Sequence, residues 1–253
     1  MKVPNVVLNG VDLLKIPGGI SDNIKSFCEL LIAKYGDKIE SINIVGSAAS
    51  SDYLAGVSDV NLFVVFKELE ITDLDIISLD AARVWRKFKI TPRFISKRNL
   101  LTSIKYFPID FLAMREAHVV IFGSDILGGL EIDNRDLLWQ LRHEIKGFRM
   151  RLKQQYWRLK SFAKNLEQNI VSGINTILYL SKTIMYLSNG SYPSGNEETI
   201  KLMEKKYVVD PSFVSLILQI KNGSKKINRG DIDPFFKGLL DYLRKIDDIS
   251  EKL

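Results

Sequence analysis

Strand-forming patterns occupy only the first half of the chain, and that asymmetry limits what it can fold into. Ser41–Val45, Val60–Phe66, Ile90–Ser96 and His118–Phe122 are short runs rich in β-branched and aromatic residues. Pro92 in the third run suits a strand start or a sheet edge. Helix-period segments lie between them. Ser21 and Asp22 are placed to cap one that carries Ile24, Phe27, Cys28, Leu31 and Ile32, with Gly36 at its end. A second runs from Asp73 to Phe88, and Pro108 opens a third. Beyond Arg135 the strand signals stop. Asp136 to about Leu166 reads as one long helix, followed by helices near Val171–Leu187, Glu197–Tyr207, Ser212–Ile220 and Pro234–Ile249. The expected architecture is α+β: a domain with a small mixed sheet over residues 1–135, then an all-α helical bundle over 136–253. The strands are too short and unevenly spaced for a Rossmann sheet.

Composition removes several function classes. The single cysteine, Cys28, excludes an internal disulfide framework and a multi-cysteine zinc site, and its place on an apolar stripe makes it a core residue. No apolar run approaches the roughly 18 residues that would span a bilayer, and the first residues lack a signal pattern, so a cytoplasmic protein without a membrane partner is expected. Charge is uneven. Of the 36 basic and 30 acidic residues, 20 and 13 fall after residue 135, a net of +7, which leaves −1 for the first half. Such asymmetry fits either a surface that meets an anion or a solvated basic face.

The segment from Ile42 to Phe66, INIVGSAASSDYLAGVSDVNLFVVF, carries the chemistry. One strand delivers Gly46-Ser47 into a turn of small residues, and the next begins at Ser58-Asp59-Val60-Asn61. Gly46 permits close backbone approach, and Ser47 to Ser51, Ser50 included, offer amides and hydroxyls to phosphate oxygens. Asp59 and Asn61, two residues apart on a strand, share a face. Phosphates beside a strand-borne carboxylate suggest a bridging divalent cation. The GxxxxGK[ST] phosphate loop is absent.

Gly46, Ser47 and Asp59 at this spacing resemble the DNA polymerase β-like nucleotidyltransferase superfamily. SDVN, FPIDFLAMREAHVVIFGSD and LEID resemble a bacterial subgroup of nucleotidyltransferase-domain proteins. The resemblance covers residues 20–135 well and the helical remainder loosely. It implies a nucleotidyltransferase-fold domain followed by helices like those of aminoglycoside nucleotidyltransferases. A nucleoside triphosphate would lie in the cleft between the domains, and a nucleotidyl group would pass to a hydroxyl of a small molecule or protein. The family pattern places a second carboxylate two residues after the first and a third on a later strand, together holding two metal ions.

Two of those places differ here. Asn61 replaces the second carboxylate. Losing a unit charge about 2 Å from a divalent ion forfeits on the order of 4 kcal/mol even in water. If Ile90–Ser96 is the third strand, Arg93 takes the third place, where a cation about 5 Å from a divalent ion is repelled by about 2 to 7 kcal/mol. Arg93 would then contact an anionic ligand directly, or pair with a neighbouring acid on the surface. Asp110 either supplies a catalytic carboxylate or serves the first turn of the helix that Pro108 opens. A single magnesium ion at Asp59 and Asn61 is the most such a set would hold. The sequence thus leaves open a metal-dependent nucleotidyltransferase and a catalytically degenerate nucleotide-binding or regulatory module.

In the long helix, Ile145, Phe148, Leu152, Tyr156, Leu159 and Ala163 form a core stripe, and Arg142, Lys146, Arg149, Lys153, Lys160 and Lys164 a basic one beside it. Arg149 and Lys153 are candidates for nucleotide contact. The alternatives are stems that cover the apolar seam with charged heads in water, and nucleic-acid binding aided by Tyr156 and Trp157. The resembling transferases often carry Ser-Lys at the turn where this chain has Ser194-Gly195, so their phosphate-reaching lysine is missing and Lys201 is a poor substitute. His118 and His143 are read as structural.

Overall fold

The computed structural model describes residues 18–54, 58–161, 166–207, 211–221, 223–226 and 229–253. Contacts divide the chain into two units, Met1–Ile132 and Asp133–Leu253.

The first unit is built on a four-stranded mixed sheet: β1 (Ile39–Val45), β2 (Val60–Phe66), β3 (Ile90–Ser96) and β4 (His118–Gly123), in the order β3-β2-β1-β4. β1 runs antiparallel to both β2 and β4, while β2 and β3 are parallel, joined through helix α2 (Ile71–Phe88). Pro92 sits within the edge strand β3, where its missing N–H leaves no ladder partner unsatisfied on the open side.

Alternation along the strands makes two cores. On one face Ile42, Ile44, Val60, Leu62, Val64, Phe66, Ile90 and Ile121 meet Ile24, Phe27, Cys28 and Leu31 of helix α1 (Gly18–Tyr35) and Ile77 and Val84 of α2. Burial pushes the Cys28 thiol up to about 12, as its core placement requires. On the other face Val45, Phe63 and Val65 meet Leu100 of helix α3 (Lys97–Ser103), Phe111 of helix α4 (Pro108–Glu116), Leu127 and Leu130. The sequence reading differs at two points. α1 already includes Gly18 to Ile20, so Ser21 and Asp22 lie inside it rather than capping it. The short α3, capped by Ser96 Oγ accepting from the Asn99 N–H at 3.2 Å, carries too little apolar period to be foreseen.

The second unit carries helices and, among its described residues, no strand: α5 (Asn134–Ser161), α6 (Leu166–Asn189), α7 (Asn196–Tyr207), α8 (Pro211–Lys221) and α9 (Ile232–Ser250). Ile145, Phe148 and Leu152 of the α5 stripe are buried, and Tyr156 is half-buried with its hydroxyl donating to Asp233 Oδ1 at 2.9 Å. Leu159, Lys160, Ala163 and Lys164 lie outside the described side chains. Among the described residues, no helix is long and apolar enough to cross a membrane.

Candidate functional site

Strand pairing brings the two halves of the Gly-Ser/Asp-x-Asn pattern together. Val45, the last residue of β1, pairs with Asn61 of β2 on one side and with His118 of β4 on the other. Gly46 therefore leaves the sheet between two strand starts. It turns with φ +77°, a conformation that strains an L side chain, and a Cβ built there would lie 3.8 Å from Asn61 Nδ2. The Gly46 N–H donates to Ala117 O at 3.0 Å, so this amide holds the turn to β4.

Gly46–Ala49 forms one 3₁₀ turn. The Ser47 carbonyl accepts from the Ser50 N–H at 3.1 Å and from Ser50 Oγ at 3.3 Å, and Ser50 Oγ accepts from the Asp52 N–H at 3.2 Å. The Ser50 hydroxyl is thus engaged as donor and acceptor within its own loop. The Ser47 hydroxyl makes no hydrogen bond with the described residues. Ser58 closes the far side: its N–H donates to Leu54 O at 2.8 Å and its Oγ accepts from the Leu54 N–H at 3.1 Å.

Asp59 is exposed just before β2 begins, and Asn61 is half-buried beside the turn. The Tyr53 hydroxyl is buried and has no hydrogen-bond partner among the described residues. Its pKa is raised, first by burial and then by the negative charge of Asp59.

The parallel register decides what β3 presents here. Asn61 pairs with Thr91 and Phe63 with Arg93. Arg93 is exposed two residues, about 6.6 Å, further along the strand, so a hydroxyl rather than a guanidinium flanks Asn61. The reason is local: the Val60 N–H donates to Lys89 O at 3.0 Å, which fixes the register one pair earlier. Lys89, the residue beside Asp59 in this register, adopts φ +55°, and it is the one non-glycine with positive φ among the described residues. The sequence reading missed both Thr91 and Lys89, because neither belongs to a chemical pattern until the register is known.

Asp110 is exposed in the first turn of α4, directly after Pro108, a place the helix dipole favours for an acid. Among the described residues, no group of three His, Cys, Asp or Glu side chains is arranged to hold a metal ion. The rungs beside Gly46 offer one carboxylate (Asp59), one amide (Asn61) and one hydroxyl (Thr91). That donor set does not fit a pair of divalent ions, which need several anionic oxygens between them.

Arg149 and Lys153 belong to the other unit. Arg149 donates to Asp247 Oδ2 of α9, Lys146 donates to Asp247 Oδ1 and to Glu251 Oε1 at 2.9 Å each, and Arg142 donates to Ser250 O at 2.8 and 3.1 Å. Glu251 first, and then Asp247, holds the Lys146 ammonium above its ordinary range. Three of the four described members of the basic stripe therefore form an ion-pair ladder with Asp247 and Glu251, and Lys153 stands exposed beyond it. At the turn before α7, the Ser194 N–H and Oγ both donate to Glu198 Oε2 at 2.7 Å, a cap that holds the Glu198 carboxyl below its usual value. His118 bridges within the first unit, with Nδ1 2.9 Å from Arg115 O and Nε2 2.9 Å from Asp125 Oδ1.

No family model matches the chain, and no curated protein matches it by sequence. Among solved structures, it is similar to the spectinomycin adenyltransferase AAD(9) from Enterococcus faecialis, solved with ATP and spectinomycin. The TM-score is 0.59 at 13% identity, over 88% of this chain and 99% of that one. At that identity the likeness is one of fold. The chain shares that protein's fold: a mixed four-stranded sheet with helices, followed by a mostly helical region.

Proposed function

We propose that the chain binds the polyphosphate of a nucleoside triphosphate at the Gly46-Ser47 turn and transfers its nucleotidyl group slowly or not at all. The observation that carries this is the Asp59/Asn61/Thr91 set. Where two-metal chemistry wants carboxylates, this sheet offers an amide and a hydroxyl. Asn61 Nδ2 faces the turn, so it presents hydrogen-bond donors to an anionic oxygen where a carboxylate would present a cation site. The Ser47 hydroxyl, which makes no hydrogen bond with the described residues, is a second donor, and positive φ at Gly46 lets the backbone approach the phosphates. Arg93 and Lys89 lie along the same strand pair as cations for the distal phosphates.

Nucleotidyl transfer to a hydroxyl of a small molecule or protein is the competing reading. The retained Asp59 favours it, as does the fold shared with an adenyltransferase that was solved with ATP and an antibiotic. Pyrophosphate release separates the two. The binding module predicts ATP affinity that falls about tenfold in Ser47→Ala, equivalent to one hydrogen bond to a charged group, with no pyrophosphate above background. Steady pyrophosphate release that vanishes in Asp59→Ala would replace the module with an enzyme.

A further inference from the structure

We propose that the outward face of α5 binds single-stranded nucleic acid on two tryptophan platforms. Trp139, Met150 and Trp157 are 66%, 71% and 56% exposed. Their spacings of eleven and seven residues put all three on one line down the helix, within about 20° of one another at 100° per residue. The eighteen residues from Trp139 to Trp157 make five turns, a stripe about 27 Å long. Leu137, Leu141, Ile145, Phe148 and Leu152 are buried on the opposite side of the same helix, so the exposed line has no part in the core.

The two indoles already show the contacts such a surface uses. The Trp139 ring stacks on the His143 imidazole at 5.4 Å and 8°, and the Arg158 guanidinium lies 5.9 Å from the Trp157 ring. Flat π-faces with cations between them suit a polyanion that carries stackable bases. The charge agrees. α5 holds eight basic residues (Arg135, Arg142, Lys146, Arg149, Arg151, Lys153, Arg158 and Lys160) against Asp136 and Glu144, a net of +6. Although Asp133 pairs with Arg135, and Asp247 and Glu251 pair with Arg142, Lys146 and Arg149, exposed Lys153 remains on the stripe between Met150 and Trp157.

Other occupants fit less well. A second copy would set two like-charged faces, each carrying Lys153 and Arg158, against each other. Three side chains expose on the order of 400 Å², short of the roughly 800 Å² per partner of a stable protein interface. A helix lying on lipid separates its apolar and basic residues onto opposite faces, whereas here Lys146 and Lys153 alternate with the apolar residues along one line. The readout is of stacking and charge, with no base preference.

The test uses the full chain and two labelled dodecamers of equal charge, an oligothymidylate and its abasic counterpart, at low salt. The proposal predicts binding at least about tenfold tighter for the thymidylate, falling steeply with salt. Trp139→Ala and Trp157→Ala should each weaken thymidylate binding roughly 5- to 150-fold and leave abasic binding unchanged. Lys153→Gln should weaken both ligands alike. Because all three side chains are exposed, unchanged unfolding curves are expected of the variants. Equal affinity for the two oligomers, no binding of either, or tryptophan variants that bind like the parent would overturn the proposal. So would binding to phosphatidylserine vesicles without binding to the thymidylate.

Discussion

Replacing Asn61 with aspartate would test why this sheet lacks a metal site. The new carboxylate would lie two residues from Asp59 on the same strand face, about 6.6 Å away by strand rise. Two unit charges at that distance repel by about 0.6 kcal/mol in bulk water and about 2.5 kcal/mol at an effective dielectric constant near 20. Asp59 is exposed and Asn61 half-buried, so about 1 kcal/mol of destabilisation is expected in chelator. A divalent cation reverses the sign, because it binds the folded pair and not the unfolded chain. At a concentration ten times its dissociation constant it returns about 1.4 kcal/mol. For a chain of this size that is a rise of roughly 3 to 6 °C in thermal midpoint between chelator and millimolar magnesium. The parent, with one carboxylate, should show no such rise. An equal magnesium response in the parent would mean that the site already holds a cation. A magnesium-insensitive Asn61→Asp would mean that position 61 does not face the place where a cation would sit. Either result would refute the argument.

Three further outcomes follow from other contacts. Asp247→Ala should cost about 2 kcal/mol in urea unfolding: it removes a carboxylate 12% exposed that accepts from two cations, which are open enough, at 54% and 33%, to rehydrate; a loss under 0.5 kcal/mol would demote the α5–α9 ladder to a surface feature. Lys89→Gly relieves a left-handed backbone worth about 1–2 kcal/mol and adds about 0.5–1 kcal/mol of unfolded-state entropy, so the unfolding midpoint should rise slightly, and a clear fall would show that the Lys89 side chain matters more than its backbone. The Gly128 N–H, and then His118, holds the Asp125 carboxyl below its ordinary value. Its contribution is therefore complete above about pH 4 and is lost as pH falls through the lower folded value. Asp125→Asn should flatten that acid limb of stability, and an unchanged limb would show that the pair contributes nothing there.

How far the sequence could be read depended on what each feature required. Period-two strands and 3.6-period helices are local, so the four strands and the turn to an all-helical second half were legible, and the Gly46-Ser47 and Asp59-Val60-Asn61 pattern was visible because its spacing is fixed along the chain. What sits beside Asn61 was not legible. It depends on the β2–β3 register, set by the hydrogen bond from the Val60 N–H to Lys89 O, and a shift of two residues exchanges Thr91 for Arg93. The basic stripe of α5 was legible as a stripe, but its partners Asp247 and Glu251 lie about a hundred residues away, on a helix whose acids look like any solvated face. Of the exposed line of Trp139, Met150 and Trp157, the sequence offered only Trp157 as a stacking residue; Trp139 and Met150 belong to no chemical pattern until burial assigns the core to the other side.

Calorimetric titration with ATP, once in chelator and once in millimolar magnesium, tests the central claim most directly. If hydrogen-bond donors at Ser47 and Asn61 hold the phosphates, the two dissociation constants should agree within about threefold, because less than 1 kcal/mol would then depend on the cation. Binding that appears only with magnesium would contradict the account, and would return Asp59 to the role of a metal ligand.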